Sequence, residues 1–228
     1  MSTIRSLDDL YQLALLHLKG KRGNIVINLD GIPKISNSND IIGNCLQEWI
    51  PRWLSERGLE LQVHSGDSNT QAFPDFKATI DGYEYDMEVK CWNSLNSPGF
   101  DLANFDGLYR TLFNNPGKLN AKYLIFGYTP VTDGFIIQDI YLKNIWEITS
   151  KSQKYPIGLQ VKQGNPYAIR PFAFHKRPDD CFETRRDFVI ALAETREMFR
   201  SNNPEIPSAQ EWLGRVEKKY KIYTGEEL

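Results

Sequence analysis

Three side chains carry the clearest chemical potential: Asp75, Glu88 and Lys90. Asp75 follows Pro74, and Glu88 and Lys90 flank Val89. On an extended strand alternate residues share a face. Glu84, Asp86, Glu88 and Lys90 therefore point one way, and Tyr85, Met87, Val89 and Cys91 point the other way, into a core. Charged groups on an inward-lying strand are costly unless something compensates them. A divalent cation would do so. Two carboxylates and the backbone carbonyl of Val89 are hard oxygen donors of the kind Mg²⁺ prefers, with several waters retained. A lysine beside such a cation can orient an attacking water and offset charge on phosphoryl oxygens. The cation polarises the phosphate and lowers the pKa of its water. Together these groups suit in-line hydrolysis of a phosphodiester.

The elements that must position them follow from periodicity. Ser6 to Lys19 reads as an amphipathic helix with Leu7, Leu10, Leu13, Ala14 and Leu18 on one face, and Asn24 to Leu29 as a short strand. Asn39 or Asp40 is placed to cap a helix running to about Glu56, kinked at Pro51. Strands are expected over Leu59 to His64, Phe73 to Ile80 and Tyr83 to Trp92. The last two are joined at Asp81-Gly82 as a hairpin. A helix capped by Asp101 and an apolar strand from Ala121 to Thr129 complete this stretch. Beyond it the pattern predicts a strand over Gly134 to Tyr141, a short helix over Leu142 to Thr149 and two short strands. Long helices are expected over Phe182 to Arg200 and Ser208 to Tyr220. No linker demands a second domain, so one domain over residues 1–228 is expected. Its catalytic core spans about 40–129, and the part over about 130–228 completes the sheet and supplies DNA and dimer contacts.

Pro74-Asp75 with Glu88-Val89-Lys90, set in the order helix, three strands, helix, strand, resembles the PD-(D/E)xK nuclease superfamily. The resemblance implies an α/β fold with a restriction-endonuclease-like core, a central mixed β-sheet flanked by helices. It implies Asp75 and Glu88 as metal ligands, Lys90 as the catalytic lysine, and products ending in a 5′-phosphate. Many members carry an acid on the helix before the hairpin; Glu48 stands there and is a candidate further ligand. Wider stretches are similar to the NgoBV/NlaIV group of type II restriction endonucleases. They include Ile42-Gly43-Asn44 through Gln47-Glu48-Trp49, Gln71 to Phe76, Ser97 to Asp101, Tyr123 to Tyr128 and Lys143 to Glu147. That group implies a homodimer cutting double-stranded DNA at a short palindrome, GGNNCC, beside a cognate DNA methyltransferase. A repair or junction-resolving nuclease on the same core, and a DNA-binding module without activity, remain alternatives.

Candidates for DNA contact are Gln71, Asn93 and Asn96 near the hairpin, then Arg170, His175, Lys176 and Arg177, then Arg185 and Arg186. Arginine, lysine and amide side chains are the usual readers of phosphates and base edges. A charge cluster of this kind is usually a solvated face, and that is the competing reading of the basic group. The net charge of −2 over 228 residues excludes a protein that coats nucleic acid by global charge, and leaves room for a local basic cleft. Hydrophobic residues at 41% and charged residues at 25% fit a globular chain rather than a disordered one. The three cysteines are widely spaced and form no CxxC pair, which points away from zinc and disulfide frameworks. The N-terminal stretch carries Asp8 and Asp9 and shows no signal-peptide pattern, so the expected compartment is cytoplasmic.

Overall fold

The computed structural model describes residues 4–36, 38–63, 73–199 and 207–228. In chain order the elements are α1 (Leu7–Leu18), β1 (Arg22–Gly23), β2 (Val26–Leu29), β3 (Ile32–Ile35), α2 (Asn39–Ser55), β4 (Glu60–Val63), β5 (Phe76–Ile80) and β6 (Tyr83–Asn93). They continue with β7 (Ala103–Asn104), α3 (Phe105–Asn114), β8 (Lys122–Val131), β9 (Gly134–Asn144), β10 (Leu159–Lys162), β11 (Asn165–Ile169), α4 (Arg185–Met198) and α5 (Ala209–Thr224). The fold is mixed α/β, as expected. The chain divides into two compact units, Met1–Pro98 with Ala121–Lys143, and Gly99–Asn120 with Asn144–Leu228.

The first unit holds a six-stranded mixed sheet in the order β1-β9-β8-β6-β5-β4. The β5–β6 hairpin turns at Asp81 and Gly82, both with positive φ, as an Asp-Gly turn of type I′ requires. β6 pairs antiparallel with β5 and parallel with β8. One face of this sheet carries Phe76, Ala78, Met87, Val89, Leu124 and Phe126. Together with Leu10 and Ala14 of α1 and Ile42, Leu46 and Ile50 of α2 they form the core. Ser6 caps α1 by accepting a hydrogen bond from the Asp9 N–H at 3.0 Å. α2 continues through Pro51 to Ser55 and begins after Ser38, one residue ahead of the expected caps.

β6 is the longest element of the hairpin, and its length creates the site. The β5 ladder begins at Phe76 opposite Met87, so the C-terminal half of β6 keeps β8 on one side and has no β5 partner on the other. On the face opposite the core, Trp92 lies across from Gly127. A Cβ added at Gly127 would sit 2.9 Å from the Trp92 ring. Gly127→Ala is therefore expected to lower stability by about 1–3 kcal/mol through overpacking. The readout is a lower urea midpoint at unchanged m-value.

The second unit has a three-stranded sheet, β10-β11-β7, with α3, α4 and α5. Trp212 is fully buried and stacks on Tyr109 with ring centroids 4.2 Å apart. A capping box of Ser208 and Glu211 opens α5.

Several expectations shift. α3 starts after Asn104, whose side chain accepts from the Gly107 N–H, rather than after Asp101. Residues 142–144 extend β9, and only Ile145–Ile148 form a short 3₁₀ turn, where a helix was expected. The strands β1, β3 and β7 were not foreseen. Of the part beyond 130, β9 joins the six-stranded sheet, whereas Asn144–Leu228 belongs to the second unit with α3. Among the described residues no helix is long and apolar enough to cross a membrane.

Candidate active site

One step beyond the Phe76–Met87 pair, Asp75 stands opposite Glu88, and Glu88 in turn lies beside Tyr123 of β8. Backbone groups that have lost a ladder partner must find another. Here side chains supply it. The Asp75 carboxylate accepts the Val89 N–H at 2.7 Å, and the Glu88 carboxylate accepts the Asp75 N–H at 3.2 Å. From α2, the Gln47 amide donates to the Val89 carbonyl at 2.7 Å. Lys90 Nζ lies 2.7 Å from Glu88 Oε1, with both side chains largely buried. The structure thus brings together the three residues singled out by their types and spacing.

Burial pushes the Glu88 carboxyl up to about 7, held down in part by Lys90 and raised further by Asp75. Burial likewise raises Asp75, against the Val89 N–H and Lys90. Burial works to lower Lys90, yet the two carboxylates outweigh it and keep its ammonium charged. Two carboxylates against one lysine leave a buried site one positive charge short. Its donors are hard oxygens, and this fits a divalent cation. Among the described residues, no group of three or more His, Cys, Asp or Glu side chains converges on a metal position. The candidate cation set is two carboxylates with one backbone carbonyl.

Glu48 is not the residue that α2 turns toward this site. At 3.6 residues per turn it lies roughly opposite the stripe of Ile42, Leu46 and Ile50, and it is exposed. Gln47 flanks that stripe and reaches Val89. The helical period applied to the apolar stripe is the signal that selects Gln47 over Glu48. Tyr123 was also not foreseen as part of the site. It is 1% exposed, and its hydroxyl has no hydrogen-bond partner among the described residues. Burial first, then the charges of Glu88 and Asp75, raise its pKa.

The candidate DNA-contact residues are scattered. Gln71 lies outside the described residues. Asn93 and Asn96 form the turn after β6, where the Asn93 side chain accepts the Leu95 N–H at 3.1 Å. Arg170 is held by Asp101 and the Gly99 carbonyl, Arg177 by Asp180, Arg185 by Glu226 and Tyr220, and Arg186 by Glu217. His175 packs edge-on against Phe174, and Lys176 is exposed. All six belong to the second unit. Pairs open to solvent on at least one side contribute about 0–1 kcal/mol each, so exchanging a carboxylate for a phosphate is inexpensive.

An acid opposite a Glu-x-Lys strand, on a hairpin backed by a helix and extended by a parallel strand, defines a PD-(D/E)xK nuclease core. The model of the NgoBV restriction endonuclease family matches residues 7–228, and the chain belongs to that family. It is 35% identical over 204 residues to the type II restriction enzyme NlaIV of Neisseria lactamica, covering 87% of this chain and 82% of that protein. It is 32% identical over 143 residues to the type II restriction enzyme NgoBV of Neisseria gonorrhoeae, covering 62% of this chain and 79% of that protein. The solved NlaIV restriction endonuclease superposes with a TM-score of 0.83 at 31% identity, over 100% of this chain and 93% of that one. The enzyme class is accordingly type II restriction endonuclease.

Proposed function

We propose that this chain hydrolyses both strands of a duplex at a short palindrome, GGNNCC in the narrowest reading, as a Mg²⁺-dependent homodimer. The observation that carries the chemistry is the largely buried Asp75–Glu88–Lys90 cluster at the end of the β5 ladder. Asp75, Glu88 and the Val89 carbonyl are the oxygens that would hold the cation. When bound, a divalent cation polarises the scissile phosphate and lowers the pKa of water. Lys90 keeps its proton, orients the attacking water through its N–H donors and offsets charge on the phosphoryl oxygens. Glu88 holds Lys90 in place from 2.7 Å. A protein two-fold axis matches a two-fold palindrome, which supports the C2 dimer. Hydrolysis in this class would leave a 5′-phosphate. A cognate DNA methyltransferase is the expected companion, since the host's own sites need protection.

Digestion of a plasmid of known sequence tests this reading. Discrete fragments that require Mg²⁺ and end within GGNNCC are expected. Nicks confined to branched substrates would instead favour a junction-resolving nuclease, and fragments with other ends would replace the target. Light scattering of the purified chain should give twice the monomer mass.

A further inference from the structure

Among the candidate cation oxygens, the Val89 carbonyl is the one that no side-chain torsion can aim. Its direction is set by the backbone. A neighbouring strand would normally hold it, but β5 stops at Phe76 opposite Met87. What holds it is Gln47, whose Nε2 donates to it at 2.7 Å from α2. α2 is anchored beside that residue by Leu46 and Ile50, both buried in the core of the same unit. The same residue's N–H is held by Asp75 at 2.7 Å. Val89 is therefore gripped at both backbone groups, one by a candidate ligand and one by a neutral amide.

We propose that Gln47 is a positioning residue of the cation site. Its amide fixes the Val89 carbonyl so that the second lone pair of this oxygen joins Asp75 and Glu88 in holding the divalent ion. This rests on the cation reading of those residues given above. A carbonyl oxygen has two lone pairs, so donation by Gln47 leaves one for the ion. The amide also suits the electrostatics. The Asp75 charge already works against ionisation of Glu88, which Lys90 offsets from 2.7 Å, and a carboxylate at position 47 would add a third negative charge and donate nothing to Val89. The helix thus supplies alignment without charge, and Gln47 rather than Glu48 supplies it. Partners that orient a ligand commonly change metal affinity by about 10–100-fold when removed.

The test is Mn²⁺ binding to the full chain, without DNA, read from the electron paramagnetic resonance of free Mn²⁺ at about pH 8, where protons compete less for the ligand oxygens. Gln47→Met keeps the length and helix propensity and removes the donor; Gln47→Ala serves if Met packs poorly. Either variant is expected to weaken Mn²⁺ about tenfold or more, and Asp75→Asn to abolish binding at this site. If Asp75→Asn abolishes binding and both position-47 variants match the wild type, Gln47 only satisfies a backbone acceptor, and the proposal fails while the cation reading stands. If Asp75→Asn binds as the wild type does, the cation reading fails and takes the proposal with it. Weakened binding in Glu48→Gln with none in the Gln47 variants would also overturn the assignment.

Discussion

Replacing Lys90 with alanine is expected to lower duplex cleavage about 10²–10³-fold, the loss seen when one fixed donor to a developing oxyanion is removed. Single-turnover digestion of a one-site duplex checks the rate, and a gel-shift with the same duplex checks binding, which should persist. The fold should persist as well, for a specific reason. Breaking a buried ion pair by deleting one partner ordinarily costs about 3–5 kcal/mol, because a charge is left buried alone. Glu88 has another course. Its carboxyl already lies near 7 with Lys90 in place. Without Lys90 its pKa rises further, and the variant takes up a proton instead of burying a bare carboxylate. Lys90→Ala should therefore lose more stability at about pH 9 than at about pH 6. Cleavage at the wild-type rate in a preparation free of contaminating nuclease would remove Lys90 from the mechanism.

The second large effect is a coupling of cation binding to pH. Burial raises both Asp75 and Glu88, so protons compete with the ion for the same oxygens. Cation affinity is expected to fall about tenfold for each pH unit below about 7, as binding must displace a proton. The metal-free chain should show the opposite dependence. A carboxyl whose folded pKa lies above its unfolded value contributes stability that is fully present below the unfolded value. That contribution is lost as pH rises through the folded one. For Glu88 the window runs from its ordinary 4.5 to about 7. Melting curves with EDTA should thus move down across that window, and curves with saturating Mg²⁺ should move down less or rise. Glu88→Gln should flatten the EDTA dependence. A metal-free midpoint that climbs through the same window would mean that Lys90 outweighs burial and holds the Glu88 carboxyl below its ordinary value, contrary to its upward shift.

Much of the fold was legible because local signals agreed. The apolar stripe of Ile42, Leu46 and Ile50 marked α2, and Asp81-Gly82 marked the turn between β5 and β6. The alternation along β6 placed Glu88 and Lys90 on one face and Met87 and Val89 on the other, and the latter two do enter the core. Less legible were β1, β3 and β7. Two of these are only two residues long, and such strands exist only because a partner pairs with them. The division into two units was invisible for a related reason. Both units are built from stretches far apart in the chain, and no linker marks a boundary that the chain crosses more than once.

By itself, the sequence determined which residues have the chemistry: an acid, an acid and a lysine, at a spacing that a tight hairpin converts into proximity. That follows from strand period and turn type, which are local properties. Tertiary structure alone decided how the site is completed. It began β5 one residue after Asp75, so that the Val89 N–H and carbonyl had to be met by side chains. It also turned Gln47 rather than Glu48 toward that gap. It gave Arg170, Arg185 and Arg186 of the second unit carboxylate partners from elsewhere in the chain. Burial and facing depend on which elements pack together, and no short-range pattern encodes them.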